Sequence, residues 1–321
     1  MDEFWDDRMM RSLAAPSGDR DVVAHLLGKY YANWQAALTD EEARLPLFSA
    51  PLRRARVELE SRGTDPVFMA WLHRLEFLLN APKARDQELE PPPSPALAPR
   101  AGSGRFPLLS LSECPRLASM LCAPERPSTL AADLIDREVT AALDQIGANW
   151  PEAICDIEAF ARALFVIEAP AGMYPSGSDA SLPFILKVTC APGSWPALLA
   201  DSLLHEVAHV KLRIAMRLAQ FCDDDETPRF RHPWRADDRP LRAVILAAHA
   251  FVSIFGWYSR LAVAASPNHA ARTEAQRLRT EVGTALVALR DASELTELGR
   301  RLTTHLGATY VADCNRMDSL T

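Results

Sequence analysis

The chain has 321 residues, of which 48% are hydrophobic and 24% are charged, and this composition excludes a wholly disordered, collagen-like or disulfide-framework protein. Its 35 basic and 42 acidic side chains give a formal net charge of −7. That charge disfavours a general nucleic-acid binder, because such proteins need a cationic surface to displace counterions from phosphates.

The termini and the cysteines carry little that points to export or to a membrane. Six cysteines are scattered without a CxxC pair, so neither a cysteine zinc cage nor a disulfide scaffold is indicated. The acidic start, MDEFWDDRMMRS, lacks the basic and apolar runs of a secretory signal, and we therefore expect a cytoplasmic protein. The longest apolar stretch, from Ala243 to Tyr258, is shorter than the roughly 20 residues of a membrane span, so no membrane partner is expected.

The first third of the chain predicts helices followed by a break. From Asp21 to about Asn80 apolar residues recur at helical spacing and indicate two or three helices. Residues 91–104, PPPSPALAPRAGSG, predict a linker or long loop. We divide the chain into an N-terminal helical region (1–90), a linker or loop (91–106) and a main domain (107–321). The N-terminal helices either capture a substrate or cap the core, and the cap is favoured because no catalytic spacing occurs there.

The main domain alternates helices with two short apolar runs that are typical of strands. One of its helices is preceded by a strand and opens on Ser194-Trp195-Pro196, a serine cap followed by proline in the first turn. The fold class is therefore mainly α with a small β-sheet (α+β), with this helix packed against downstream helices. The predicted helices are 130–146, 151–164, 197–218, 240–263, 270–289 and 293–305, and the predicted strands are 164–168 and 184–189.

The helix at 197–218 carries the motif His205-Glu206-Val207-Ala208-His209, an HExxH. Residues four apart share a helical face, so both imidazoles can bind one metal ion. Glu206 can then contact a metal-bound water, or hydrogen-bond to a metal ligand without binding the metal itself. Chance is a poor explanation, because a chain of this composition contains about 0.026 such patterns. The alternative of two surface histidines is disfavoured, since neighbouring leucines and valines make this helix mostly buried.

The sequence leaves the third metal ligand open. A metzincin would need glycine at position 212 and histidine at 215, and the chain has leucine and alanine there. A gluzincin would take a glutamate from a later helix, but no acidic residue occurs between Pro240 and Ala271. That helix contains His249, for which a metal-ligand role and a buried core role are about equally favoured. The competing candidates are His232, Asp223, Asp224, Asp225, Glu226, Asp237 and Asp238, of which the acidic run is more typical of a solvated loop.

An arginine-rich segment, residues 229–242, lies between the two helices. An oxygenase that uses 2-oxoglutarate needs a cation near its metal to bind the far carboxylate of that cosubstrate. Arg242 shares a helical face with His249, two turns away, and is the first candidate for this role. The other candidates are Arg235, Arg239 and Lys211. The alternative is that the arginines pair with Asp237 and Asp238 and hold the loop in shape.

These motifs together resemble a known family, the 2-oxoglutarate-dependent HExxH-type peptide β-hydroxylases that modify ribosomally synthesised peptides. The likeness rests on three segments: residues 203–212 match LxHExxHxKL, residues 233–240 resemble PWRxDxRP, and an apolar helix runs through Ala250-Phe251. The Ser-Gly-Ser segment at 176–178 is also similar. Together they cover roughly residues 170–260, and the combination is more specific than HExxH alone.

The resemblance implies an iron enzyme with a peptide substrate. It implies that His205 and His209 bind Fe(II), that His249 or an unassigned carboxylate closes one face, and that 2-oxoglutarate and O₂ are cosubstrates. A precursor peptide would be hydroxylated at a side-chain β-carbon. Glu206 would then order a ligand or water rather than act as a base. Residues 107–321 would form the metal-binding catalytic domain.

Two other interpretations remain. In a zinc metallopeptidase, Glu206 would be the general base that takes a proton from zinc-bound water. The strand at 184–189 would suit either enzyme if it lay at a sheet edge, where it could pair with an extended peptide. The third interpretation is a non-catalytic peptide-binding protein with a vestigial histidine pair. The absence of a ligand glutamate and the presence of the arginine-rich loop favour the hydroxylase over both.

Overall fold

The computed structural model describes most of the chain, namely residues 3–44, 49–62, 65, 68–69, 71–73, 75–76, 128–168, 176–179, 184–190, 196–223, 226–264 and 268–319. Two compact units are present. The HExxH unit comprises Met1–Ala24, Ala141–Ala159 and Trp195–Thr321, and the sheet unit comprises His25–Thr140 and Phe160–Ser194. The predicted linker at 91–106 lies outside the described residues, so that boundary stays a prediction.

The described residues are mainly helical with one small mixed sheet, which confirms the α+β fold class. A 3₁₀ turn at Glu3–Trp5 precedes the first helix. The helices are α1 (Asp7–Ala14), α2 (Arg20–Arg44), α3 (Ser49–Arg62), α4 (Ala132–Asn149), α5 (Pro151–Phe160), α6 (Pro196–Leu218), α7 (Leu241–Val263), α8 (His269–Arg290) and α9 (Glu297–Asp318).

The sheet has three strands, β1 (Ala163–Ile167), β2 (Gly177–Ser178) and β3 (Ile185–Thr189), in the order β1-β3-β2. β1 runs parallel to β3 and β2 runs antiparallel to it. β1 is buried throughout, as a continuous apolar run predicts for a strand covered on both faces. β3 lies between β1 and β2, so it does not meet the condition of an edge strand under which it could pair with a peptide.

The HExxH unit is organised around α7. This helix contacts α6, α8 and α9, and its aromatic residues Phe255, Trp257 and Tyr258 are buried. By length and composition alone α7 is apolar enough to cross a membrane, but 72% of its apolar window is buried inside the fold. Burial on all sides is the property of a core helix, and it explains why α7 is hydrophobic around its whole circumference.

Helix α1 was not predicted, yet it belongs to the same unit. Asp6 caps it by accepting a hydrogen bond from the backbone N–H of Met9 at 2.7 Å. Met10 and Leu13 are buried, and α1 contacts α9. Eight residues are too few to be stable alone, so α1 is held by packing against the rest of the unit.

Candidate metal centre

Helix α6 brings His205 and His209 together as the HExxH spacing predicts. Their Nε2 atoms are 3.0 Å apart, and the two rings meet edge to face with centroids 4.6 Å apart. Two nitrogen ligands about 2.1 Å from one ion are about 3.0 Å apart at a right angle and about 3.4 Å apart at the tetrahedral angle. The observed separation therefore fits two adjacent positions around a single ion.

Both imidazoles are held in the neutral form that binds metals. Burial lowers the pKa of His205, against the opposing effect of the Glu206 carboxylate. Burial also lowers the pKa of His209 well below its usual value, with further lowering by His205 and by the positive charge of Arg213. Because a metal competes with protons for these nitrogens, lone pairs that are free at neutral pH favour binding.

His249 lies on α7 close enough to contribute to the lowered pKa of His209, but its Nε2 is engaged by α1. It is 1% exposed, and its Nε2 donates a hydrogen bond to the backbone carbonyl of Leu13 at 2.6 Å. Burial lowers its pKa to about 4. Among the residues that the structure describes, no three His, Cys, Asp or Glu side chains lie close enough together to hold a metal. The structure thus assembles two of the three expected histidines and ties the third to α1.

The competing third ligands are also placed elsewhere or lie outside the described residues. His232 is buried in the loop between α6 and α7, where its Nδ1 accepts a hydrogen bond from the backbone N–H of Trp234 at 3.3 Å. Asp223 and Glu226 are exposed. Asp237 and Asp238 are exposed as well and form ion pairs with loop arginines. Residues 224–225 are not described.

Glu206 points into the fold from α6. The residue is 3% exposed, and its negative charge acts on His205 strongly enough to oppose the effect of burial on the pKa of that imidazole. A buried carboxylate beside a histidine can orient the ring and raise its basicity as a ligand. This position suits the outer-partner role that was expected of Glu206.

Most arginines of the arginine-rich segment are paired with carboxylates, two of which belong to the segment itself. Its ends are closed by two backbone hydrogen bonds between Phe230 and Arg239, at 3.0 and 2.9 Å. Among the described residues, Arg235 is exposed and forms no ion pair. The other four arginines are paired: Arg229–Glu294 at 3.4 Å, Arg231–Asp238 at 3.4 Å, Arg239–Asp237 at 2.9 Å and Arg242–Glu226 at 3.8 Å.

Lys211 is buried on a different face of α6 from the histidine pair. Its Nζ lies 2.6 Å from an Asp156 carboxylate oxygen, and it also donates to the backbone carbonyls of Ser12 and Ala15. The side chain is 3% exposed, and a cavity of about 10 Å³ adjoins it. The structure therefore does not bring this ammonium group to the histidines.

Two residues that the sequence reasoning missed share the histidine face of α6. Arg213 lies four residues after His209, and its positive charge lowers the pKa of both His205 and His209. Asp201 lies four residues before His205 and accepts a hydrogen bond from the Tyr258 hydroxyl at 2.9 Å. The signal that identifies both is the same four-residue spacing that relates the two histidines.

Two aromatic rings form a wall beside His205. The Phe251 ring meets the His205 imidazole edge to face, with centroids 5.2 Å apart. The Trp234 ring stacks on Phe251 with centroids 4.0 Å apart and planes 6° from parallel. The loop between α6 and α7 is thereby connected to the metal pair through ring contacts.

Asp201 gives the HExxH unit a pH-dependent stability. Burial raises the pKa of this carboxyl to about 7, against the hydrogen bond from Tyr258. Since the folded pKa exceeds the unfolded one, the folded state binds the proton more tightly, and stability is lost as pH rises from about 4 to about 7. We expect Asp201→Asn to remove this part of the pH dependence. Urea unfolding of the unmodified protein and of Asp201→Asn at pH 5 and pH 8 measures the free energy of unfolding. The same change in this free energy between the two pH values in both proteins would contradict the prediction.

The chain was compared with known proteins by family and by sequence. No protein-family model matches the chain, and no curated protein matches it.

Proposed function

We propose that the chain is an Fe(II)- and 2-oxoglutarate-dependent oxygenase that hydroxylates a side-chain β-carbon of a ribosomally synthesised peptide. The observation that supports it is the pair of neutral imidazoles whose Nε2 atoms lie 3.0 Å apart. The resemblance in the HExxH helix and the PWRADDRP loop gives the reaction and the substrate class. Its enzymatic class is thus a non-haem iron dioxygenase.

The donor set fits iron at two positions. His205 and His209 supply the imidazole nitrogens that Fe(II) accepts, and with no third protein ligand among the described residues, room remains for an oxygen-donor cosubstrate. When bound, iron would supply the redox chemistry that links oxidation of 2-oxoglutarate to hydroxylation. The protein must then bind the keto acid, hold the imidazoles in position and admit the peptide.

Arg213 is the cation best placed to hold the anionic cosubstrate. It lies one helical turn from His209, and its charge already acts on both imidazoles. Arg239 and Arg242 are paired with Asp237 and Glu226, and Arg235 is exposed in the loop. The charges that act on His205 and His209 include that of Arg213 and none of these three. Glu206, buried beside His205, would order that ring or a bound water.

Carboxylate ligands for a zinc peptidase are engaged elsewhere in the unit. Two acidic residues of α8, Glu274 and Glu281, form ion pairs with Arg277, and Glu281 also accepts a hydrogen bond from the Trp234 indole at 2.9 Å. A peptidase of the gluzincin type needs one such carboxylate on the metal. These contacts favour the oxygenase.

A cytoplasmic location accords with this chemistry. The four described cysteines, Cys155, Cys190, Cys222 and Cys314, are free thiols. Free thiols and a ferrous cofactor both suit a reducing compartment. The partners we propose are a precursor peptide, 2-oxoglutarate and O₂, with no nucleic acid and no membrane.

The test is Fe(II)-dependent formation of succinate from 2-oxoglutarate by the purified chain, followed by mass spectrometry of a co-expressed precursor peptide for the gain of one oxygen. Arg213→Gln is expected to raise the KM for 2-oxoglutarate about 10- to 100-fold, because one charge-assisted contact is lost. Arg242→Gln is the matched control and should leave KM within about twofold. Stoichiometric zinc together with peptide cleavage that Glu206→Gln abolishes would replace the oxygenase by a peptidase.

A further inference from the structure

A row of four rings leads from the metal pair to the loop between α6 and α7. His209 contacts His205, His205 contacts Phe251, and Phe251 stacks on Trp234. All three contacts are edge to face or closely parallel, the arrangements that aromatic rings prefer. Movement of the Trp234 ring would therefore be transmitted to the His205 ring through a single intervening side chain.

The far end of the row is fixed by a polar anchor. The indole Nε1 of Trp234 donates to Glu281 of α8 at 2.9 Å. Glu281 is itself held by Arg277 at 2.5 Å, and Arg277 also pairs with Glu274. The anchor lies on α8, whereas the ring that it holds lies in the loop between α6 and α7. It thus fixes the tip of the loop against the body of the HExxH unit.

A metal-binding imidazole needs its ring plane fixed, and a hydrogen bond to the second ring nitrogen usually does this. In His209 that nitrogen, Nδ1, is buried without a hydrogen-bond partner among the described residues. The pair therefore depends on packing for at least one of its rings. The His209 ring packs edge to face on His205, and His205 packs in turn on Phe251, so the aromatic row supplies this packing.

We infer that Trp234 and Glu281 are positioning residues for His205, acting through the Phe251 ring. This inference rests on the proposed metal pair but not on the reaction that the metal supports. The loop then has two parts with separate tasks: its arginines hold its shape through ion pairs, and its tryptophan orients a metal ligand. Neither Trp234 nor Glu281 touches the metal in this arrangement.

The probe is Co(II) alone, titrated calorimetrically into the full metal-free chain. Trp234→Ala and Glu281→Leu are expected to weaken Co(II) binding about tenfold, the cost of losing an outer partner of a ligand. Glu281→Gln keeps an acceptor for the indole and should stay within about threefold of the unmodified chain. Trp234→Phe keeps a ring for stacking but loses the indole donor, so it should match Glu281→Leu. A shift of the His205 imidazole proton resonances in metal-free Glu281→Leu, which keeps every ring of the row, would report the ring reorientation.

Tyr310→Phe is the matched control within the same unit. It removes a hydrogen bond of equal length, from the Tyr310 hydroxyl to the backbone carbonyl of Arg279 at 2.9 Å, which joins α9 to α8. It should leave Co(II) affinity unchanged, which separates positioning from a general loss of stability. Equal affinity in the Trp234→Ala, Glu281→Leu and unmodified chains would overturn the inference.

The experiment also separates this inference from the proposed function. Co(II) binding that weakens in the two variants, in a chain that forms no succinate, would support the positioning role and refute the oxygenase. Failure of the unmodified chain to bind Co(II) would overturn both.

Discussion

Replacing His209 by alanine is expected to lower the affinity of the chain for a divalent metal by at least about 100-fold and to abolish succinate formation. The loss should exceed the 10- to 100-fold cost of removing an outer partner, because one of two directly binding nitrogens disappears. His205 would keep one nitrogen, and no cluster of three potential ligands occurs among the described residues. Metal content after dialysis and calorimetric titration measure the effect.

The control for this prediction is His269→Gln. His269 is exposed at the start of α8, so its loss removes an imidazole without touching the pair. It should retain full metal content. His249→Gln provides a second comparison, because that side chain is bonded to Leu13 rather than to the pair. Retention of stoichiometric metal by His209→Ala would refute the metal centre described above.

We expect Lys211→Met to lower the free energy of unfolding by about 3–5 kcal/mol, a larger loss of stability than the other substitutions cause. The substitution leaves the Asp156 carboxylate buried without its cation, and it also removes a donor from the carbonyls of Ser12 and Ala15. Such a loss is a large part of the 5–15 kcal/mol that is typical of a folded domain. Urea unfolding followed by circular dichroism measures it.

A double variant distinguishes a broken ion pair from a general packing defect. Asp156→Leu combined with Lys211→Met replaces both charges, so it should recover part of the stability that the single variant loses. Arg235→Met is the exposed control and should change the free energy of unfolding by less than about 0.5 kcal/mol. If Lys211→Met falls within about 1 kcal/mol of the unmodified chain, the buried pair is not the anchor that its geometry indicates.

The long helices were predictable because their signals are local. The apolar spacing of α6, α7 and α8 and the proline near the start of α6 lie within the elements that they define. The histidine pair was predictable for the same reason, because its geometry follows from one turn of one helix. Helix α9 ends later than predicted, at Asp318 rather than near His305, because Leu306, Cys314 and Met317 extend its buried face.

The shortest elements were not predictable. Strand β2 has two residues, too few to show an alternating pattern, and it exists only because β3 pairs with it.

The roles of His249 and Lys211 depend on partners far away in the chain. His249 bonds to a residue 236 positions earlier, and Lys211 to one 199 positions earlier. No local pattern reports such contacts.

The loop shows where sequence reasoning can see charge but not geometry. Its arginines and acids are close in sequence, and their mutual pairing was one of the two alternatives considered. Which arginine stays without a carboxylate, and that Trp234 stacks on Phe251, follow only from the folded backbone. The position of Arg213, by contrast, follows from its four-residue spacing after His209, which is a local signal.

The hydrogen bonds from Lys211 and His249 to the carbonyls of residues 12–15 affect how the protein can be produced. Residues 12–15 are synthesised before α6 and α7. Their carbonyls can therefore accept hydrogen bonds from Lys211 and His249 only after both helices have been made. An expressed fragment that starts at α6 would contain His205 and His209. Its Lys211 ammonium group and its His249 imidazole would, however, lack their hydrogen-bond acceptors in residues 12–15. Minimal versions of this protein should therefore retain the amino-terminal residues, joined in place or supplied as a separate peptide.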